Sequence, residues 1–520
     1  MLQYVKNLGS LLKDISRRFP NEPGFIKGAQ QFSWKQINAR VDAMAHALRA
    51  QGIGKGDRIL IHSTNNIQLF ESAWVAFRLG AIWVPTNFRI TEKEIAYLAK
   101  SSRASVLIYD HGFAGHADAS RSVSDALQHV IALGDPRDGE LGYEQLLDRY
   151  RTYGVFDDVE VMYEDPLWFF YTSGTTGYPK AGVLSHGQMA FVINNHLADL
   201  MPGIDYRSRS LVVAPLSHGA GIHALVNTAK GAASILPVSQ KLDGEEVWSL
   251  VARYSIDNMF TVPTIVKMLT EHPAVDRYDH HSLKYVIYAG APMYRADQKH
   301  ALNKLGKVLV QYYGLGEVTG NITVLPANCH ELDDADNNKA GTCGFPRTGM
   351  EIAILDDSGK RLPSLETGEI CVRGPAVFMG YDNNPDANEK AFKFGWFHTG
   401  DIGHMDEDGY LYITGRQSDM YISGGSNVYP REIEEILLTH IAISEVAVLG
   451  VPDEKWGEIG VAVVVPKPDT SVSEQEISAF ITGKLARYKH PAKYYFWTEL
   501  PKSGYGKIVK KDIKARLQAN

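Results

Sequence analysis

Cysteine is scarce in this chain. Its 520 residues include only three, Cys329, Cys343 and Cys371. An odd number at spacings that fit no zinc pattern excludes a disulfide framework and the usual structural zinc sites. They read as small, partly buried thiols of a reducing compartment. Long apolar runs are missing too: even Trp74–Pro85 is broken by Arg78 and Gly80, so no stable membrane insertion is expected. Nor is there an excess of positive charge. A net charge of −7 and a pI of about 6.2 exclude the broad basic field that nucleic acid requires. Asp14 and Arg17-Arg18 soon follow Leu11-Leu12, so the pattern of a signal peptide does not form. Leu8–Phe19 reads instead as an amphipathic helix, and the expected location is cytoplasmic. The chain has no internal repeat and no low-complexity tract. Nothing in it specifies an oligomer; a homodimer is compatible with it.

What is present is the profile of a soluble globular protein, 44% hydrophobic and 22% charged. Helical spacing over Trp34–Gln51 is followed by a glycine-rich break, a short apolar strand Arg58–His62, a helix Phe70–Leu79 and a strand Val106–Tyr109. Short apolar strands recur at Ser210–Ala214, Asp257–Val262, Tyr285–Ala289 and Val308–Tyr312. This alternation predicts parallel sheets flanked by helices, with ligands at the carboxyl ends of the strands. Beyond about residue 340, runs such as Glu351–Leu355, Gly368–Val372 and Tyr410–Ile413 predict a β-rich subdomain. From Met420 the pattern becomes a compact α/β unit. It has a helix starting at Pro430, strands Val446–Val451 and Val461–Val465, a helix Ile477–Tyr488, and a strand-to-helix stretch Lys507–Leu517.

The strongest local pattern is Tyr171-Thr172-Ser173-Gly174-Thr175-Thr176-Gly177-Tyr178-Pro179-Lys180, directly after the apolar run Leu167–Phe170. Hydroxyls, glycine amides and a lysine ammonium are the donors that a triphosphate needs, and glycine permits close backbone approach. The spacing is not that of the nucleotidase P-loop. A generic Ser/Thr/Gly stretch is most often a polar surface loop. The density of hydroxyls and glycines straight after a strand, closed by a lysine, favours a grip on phosphate.

Thr-Ser-Gly-Thr-Thr-Gly-x-Pro-Lys resembles the signature of the adenylate-forming superfamily: acyl-CoA synthetases, amino-acid adenylation domains and luciferases. Further motifs follow in the family's order. Ala214–Gly221 resembles the motif whose histidine, here His218, lies beside the substrate carboxylate. Tyr288-Ala289-Gly290-Ala291-Pro292 resembles the adenine-binding stretch. Gln311-Tyr312-Tyr313-Gly314-Leu315-Gly316-Glu317 resembles the motif whose tyrosine stacks on adenine and whose glutamate holds Mg²⁺. Gly316 stands where threonine is usual. Trp396–Asp401 resembles the ribose-binding motif, with Asp401 on the ribose hydroxyls and Arg416 contacting ribose or phosphate. Arg416–Asp419 resembles the hinge, with Ser418 where aspartate or lysine is usual. Ser423-Gly424-Gly425 resembles the loop lining the pantetheine tunnel, and Pro501–Lys507 the stretch carrying the catalytic lysine, Lys507.

The resemblance runs through nearly the whole chain. It implies an α/β fold: a large N-terminal domain of stacked α/β sheets plus a β-rich subdomain over 1–415, a hinge at 416–419, and a small mobile C-terminal α+β domain over 420–520. It implies ATP, Mg²⁺ held by Thr176 and Glu317, and catalysis by Lys507, His218 and Glu317. ATP or AMP would be bound by Thr172, Ser173, Gly174, Thr175, Thr176, Gly177, Lys180, Gly290, Ala291, Pro292, Gln311, Tyr312, Tyr313, Gly314, Asp401 and Arg416. The reaction implied is activation of a carboxylic acid as acyl-AMP, then transfer to coenzyme A. Amino-acid adenylation domains usually carry aspartate after the His218 position; here it is Gly219, so an acid without an α-amino group is expected. An adenylation enzyme that loads a carrier protein and a luciferase-like oxygenase are the alternatives. The acyl pocket is expected from His218, Gly219, Gly221, His223, Val262, Tyr288 and Leu315. Small residues at 219–221 imply space for an aryl or medium alkyl group, and His223 and Tyr288 are able to hydrogen-bond a polar tail.

Overall fold

Strands that are apolar on both faces need cover on both faces, and the fold supplies it in layers. The computed structural model describes residues 4–172, 178–291, 293–335, 339–423, 426–453, 456–502 and 508–519. A seven-stranded sheet is built around Arg58–His62, Ile82–Pro85, Val106–Tyr109 and His129–Ala132, all parallel. A nine-stranded sheet has Arg209–Val212, Ala233–Leu236, Asn258–Thr261, Tyr285–Tyr288 and Leu309–Tyr313 as its parallel centre. The main core draws on both sheets and on the helices Trp34–Ala50, Ile67–Leu79, His186–Asp199 and Gly219–Lys230. Separate clusters cover the other face of each sheet.

Local chemistry sets the helix ends. Ser33 and Gln36 form a capping box at the start of Trp34–Ala50. Asn66 caps Ile67–Leu79, which ends on Gly80 in the left-handed region. Within that buried helix Arg78 pairs with Asp42 and Asn38.

The β-rich part is a five-stranded sheet of Glu351–Leu355, Gly368–Arg373, Phe392–Lys393, Trp396–Met405 and Leu411–Arg416. A second five-stranded sheet begins at Tyr421–Ser423 and holds the long hairpin Ile443–Asp453 with Gly457–Pro466. A large N-terminal domain and a smaller C-terminal one result. Among the described residues no helix is long and apolar enough to cross a membrane. Cys343 and Cys371 are buried and all three thiols are free; burial pushes Cys343 up to about 12.

Two expected elements differ. The helix expected over Ile477–Tyr488 runs Glu474–Ile481, because Thr482 leaves helical geometry and Gly483 takes φ +82°. The last helix spans Lys510–Ala519. The sheets are also not wholly parallel: Lys180–Ser185 returns antiparallel along Pro166–Thr172.

Burial holds His62, His186 and His223 down at about 3 and His330 at about 4. The unfolded chain takes up protons on these imidazoles below their ordinary value while the folded chain does not, so stability falls as pH drops from about 6.5. Glu71, raised to about 7 by burial, acts in the opposite sense and offsets only part of the four imidazoles' effect. The expected net loss between pH 7 and pH 5 is on the order of 5 kcal/mol. Denaturant midpoints measured across that range check it, and a flat profile would contradict it.

Candidate active site

The central parallel strands of the nine-stranded sheet end close to the residues that the motifs single out. The hairpin of Pro166–Thr172 and Lys180–Ser185 sets Thr172 opposite Lys180, so the two ends of the phosphate-loop motif are fixed by backbone pairing. Thr172 Oγ1 donates to Glu317 Oε1 at 2.9 Å. Tyr381 donates to the same oxygen at 2.8 Å, and Lys180 Nζ stands 5.2 Å from the Tyr381 ring centre. Burial, and then Glu317, push the Tyr381 hydroxyl well above its ordinary value, so it stays a donor. Glu317 is 6% exposed, in a short 3₁₀ turn. Among the described residues no basic side chain forms an ion pair with it. A nearly buried carboxylate held by two neutral donors suits a hard divalent cation shared with phosphate oxygens.

A second cluster forms where the β-rich sheet meets this edge. Asp401 and Arg416 are direct cross-strand partners, and Arg416 Nε donates to Asp401 Oδ1 at 2.9 Å. Tyr313 donates to Asp401 Oδ2 at 2.6 Å. The Asp401 amide donates to Thr399 Oγ1 and the Gly400 amide to Glu369 Oε1. Gly400 has φ +73°, a turn that glycine adopts without strain. Burial, then the Asp401 charge, raise the Tyr313 phenol well above its ordinary value.

His218 is the residue just before the helix Gly219–Lys230, and its ring centre lies 4.7 Å from that of Phe170. Phe170 accounts for Gly316. A Cβ at 316 would stand 2.7 Å from the Phe170 ring and 2.8 Å from Thr172 Cγ2. The volume of the usual threonine is taken by Phe170, which bridges the Glu317 turn and His218. Gly316→Thr is therefore expected to overpack the site by about 1–3 kcal/mol and to lower acid-dependent ATP turnover. Phe170→Ala in the same chain should relieve the penalty; a double-mutant cycle in stability that shows no coupling would contradict this contact.

The space expected at 219–221 is filled. A Cβ on Gly219 would meet the Phe260 ring at 2.6 Å, and one on Gly221 the Leu216 carbonyl oxygen at 2.1 Å. These glycines allow close packing. Val262 and Leu315 are half-buried near the strand ends. His223 is buried against Phe260. Tyr288 packs in the cluster on the other face of the sheet, where its hydroxyl meets Gln311, Gln298 and His330. Gln311 thus serves Tyr288, while Tyr312 joins the main core. Gly314 is half-buried beside Tyr313; Gly290 is exposed with φ +85°, next to half-buried Ala291. Ser418 is exposed, in a turn where the Asp419 and Met420 amides donate to the Arg416 carbonyl. Ser423 ends the first strand of the last sheet. Ser173, Gly174, Thr175, Thr176, Gly177, Pro292, Gly424, Gly425 and Lys507 lie outside the described residues.

Sequence reasoning missed Tyr381, Phe170, Phe260 and Glu369. Tyr381 meets a residue 64 positions away and carries no local signal. Phe170 carried one, as the residue just ahead of the loop.

Residues 12–382 match the AMP-binding enzyme family, and residues 432–507 match the AMP-binding enzyme C-terminal domain. The chain belongs to the AMP-binding enzyme family. This AMP-binding enzyme is of the acyl-CoA synthetase type within the adenylate-forming superfamily. It is 34% identical over 518 residues to long-chain-fatty-acid–CoA ligase FadD13 of Mycobacterium tuberculosis, covering 99% of both chains. It is 33% identical over 516 residues to feruloyl-CoA synthase of Amycolatopsis sp, covering 98% of this chain and 99% of that one. Its fold matches the amide bond synthetase McbA from Marinactinospora thermotolerans with a TM-score of 0.87 at 25% identity, over 98% and 99% of the two chains.

Proposed function

We propose that this enzyme converts a carboxylic acid without an α-amino group, ATP and coenzyme A into the acyl-CoA thioester, AMP and pyrophosphate. The observation that carries the reading is the pair of clusters at the sheet edge. Glu317 with Thr172 and Tyr381 forms a polar seat for the phosphate end of ATP. Asp401 with Tyr313 and Arg416 forms one for its nucleoside end. An aryl or medium-chain acid is the preferred substrate class, in keeping with the fatty-acid and feruloyl-CoA relatives.

In the first half-reaction the acid's carboxylate oxygen attacks the α-phosphorus, and pyrophosphate leaves with the electron pair of the broken P–O bond. Positioning and charge stabilisation supply most of the acceleration. Mg²⁺ held through Glu317 and Thr176 would neutralise charge on the phosphates. The loop from Thr172 to Lys180 donates to the departing pyrophosphate. His218, at the start of its helix, orients the carboxylate. Asp401 accepts from the ribose hydroxyls and Tyr313 lies along adenine. Lys507 places an ammonium near the attacking and bridging oxygens. In the second half-reaction the C-terminal domain turns about Ser418 and brings Ser423-Gly424-Gly425 to the pantetheine arm. The thiol sulfur then bonds the acyl carbon and AMP leaves.

A panel of carboxylates assayed for pyrophosphate release, each with and without CoA, tests this. Thioester matching AMP in amount is the expected result. Pyrophosphate release unaffected by CoA, with product formed on an amine or a carrier thiol, would overturn the acceptor assignment.

A further inference from the structure

Strand pairing gathers a carboxylate, a thiol and an imidazole beside the nucleoside seat. Cys371 and His398 are direct partners across the strands Gly368–Arg373 and Trp396–Met405. Glu369 lies two positions before Cys371, so the alternation of side chains along a strand puts both on one face. Between Glu369 and Cys371 the register against the partner strand shifts, and the displaced residues are those of the Gly400 turn. His398 Nδ1 is 2.7 Å from Glu369 Oε2 and 3.4 Å from Cys371 Sγ. The three ligand atoms lie within 4.8 Å of one another, the one such group of His, Cys, Asp and Glu among the described residues. Cys371 is fully buried, in a cluster with Ala353, Leu355 and Trp396. The His398 and Glu369 side chains are 11% and 24% exposed, so the group is open to solvent on one side.

The donor set selects the cation. Thiolate and imidazole favour Zn²⁺ over Mg²⁺, which prefers oxygen ligands and keeps its waters. Sulfur and nitrogen bound to one tetrahedral Zn²⁺ stand about 3.5 Å apart, close to the 3.4 Å between Cys371 Sγ and His398 Nδ1. Thiolate and carboxylate together carry two negative charges, so a divalent ion makes the partly buried group neutral. His398 Nε2 lies 3.3 Å from the Lys393 carbonyl oxygen. With Nδ1 on a metal, Nε2 keeps the proton and donates it there, the outer contact that orients a metal-bound imidazole. Water from the open side completes four ligands. Arg361 and Arg373 stack on Trp396 nearby, but both bond Glu351, which meets their charge. Without a metal, burial and then the Glu369 charge push the Cys371 thiol up, so it holds its proton. Metal binding releases that proton to solvent.

The group shares a carboxylate with the nucleoside seat. Glu369 Oε1 accepts from the Gly400 amide at 3.0 Å, and Asp401 follows Gly400. Nitrogen and oxygen ligands of one tetrahedral Zn²⁺ stand about 3.3 Å apart, so the 2.7 Å contact between His398 and Glu369 must open to admit the ion. That opening acts on the turn that carries Asp401.

We propose that Glu369, Cys371 and His398 form a site for one Zn²⁺ ion, and that its occupation shifts the Gly400 turn and opposes nucleotide binding at Asp401. The metal site stands on the three side chains alone; the antagonism rests on the nucleotide reading above.

The test uses the untagged full-length enzyme, first dialysed free of metal. One equivalent of Co²⁺ should give thiolate-to-metal absorption in the near ultraviolet, lost on adding Zn²⁺ and untouched by a large excess of Mg²⁺. Cys371→Ser should abolish that absorption and weaken Zn²⁺ binding at least about tenfold in competition with a chromophoric chelator. Cys329→Ser changes a thiol outside the group and should alter neither. If Cys371→Ser does not fold, His398→Asn decides by the same loss. Absorption that persists in Cys371→Ser or His398→Asn, that vanishes in Cys329→Ser, or that never forms would overturn the site. AMP titrated calorimetrically into the Zn²⁺-loaded enzyme should bind several-fold more weakly than to the metal-free enzyme, and equal or tighter binding would overturn the antagonism. No AMP binding to the metal-free enzyme would instead defeat the nucleotide reading, an outcome that the Co²⁺ signal keeps distinct from failure of the metal site.

Discussion

Lys507→Ala is expected to lower acid-dependent pyrophosphate release by a factor on the order of 10² to 10³, while thioester formation from supplied acyl-AMP and CoA stays within a few-fold of wild type. The reasoning is electrostatic. The adenylation transition state gathers negative charge on the attacking, bridging and non-bridging oxygens, and an ammonium preorganised beside them favours that state over the ground state. On the proposed turn of the C-terminal domain, thioester formation would present a different end of that domain to the adenylate, and the same side chain would have no charge to meet there. The two half-reactions are measured separately, by exchange of labelled pyrophosphate into ATP and by consumption of synthetic acyl-AMP. Equal loss in both would remove Lys507 from the chemistry and make it a folding residue.

The second large effect is expected at Asp401. Its carboxylate is 4% exposed and is held from two sides, by Tyr313 at 2.6 Å and Arg416 Nε at 2.9 Å. Hydrogen bonds to a charged group contribute about 1.5–3 kcal/mol each. On the proposed role, in which this carboxylate accepts from both ribose hydroxyls, its loss should therefore cost on the order of 10²-fold in kcat/KM for ATP. Asp401→Ala should show this, with a much smaller change in KM for the acid. Asp401→Asn keeps one acceptor and should fall between. A variant that lost both substrates equally would point to collapse of the Tyr313–Asp401–Arg416 cluster, not to a ribose contact.

The chain showed much of this fold plainly. Arg58–His62, Val106–Tyr109 and Glu351–Leu355 are strands where their apolar runs predict them, because buried β-structure requires such runs. The strand Lys180–Ser185 was not legible: Lys-Ala-Gly-Val-Leu-Ser has no marked period, and only pairing with Pro166–Thr172 makes it a strand. The start of the Pro430–Leu437 helix was legible because proline favours the first helical turn.

The site divides in the same way. Order along the chain pointed to Glu317, Asp401, Arg416 and Thr172, and the structure brings them into two hydrogen-bonded clusters. Contacts between distant segments were not readable. Gly316 looked like a missing hydroxyl, and it is a space taken by Phe170. Gly219 and Gly221 looked like openings, and they are places where Phe260 and the Leu216 carbonyl press close. A glycine in a sequence marks a missing Cβ, and only the fold says what took its place. Tyr288, the first residue of the adenine-binding stretch, was expected to line the acyl pocket. Strand alternation turns it to the opposite face, where it bonds Gln311.

The most direct test of the central claim is a product balance for the purified enzyme with ATP, Mg²⁺, CoA and an aryl or medium-chain acid. Acid activation for transfer to CoA predicts AMP, pyrophosphate and thioester in equal amounts, each dependent on the acid. ADP and phosphate in place of AMP and pyrophosphate, or AMP formed without any need for the acid, would contradict it.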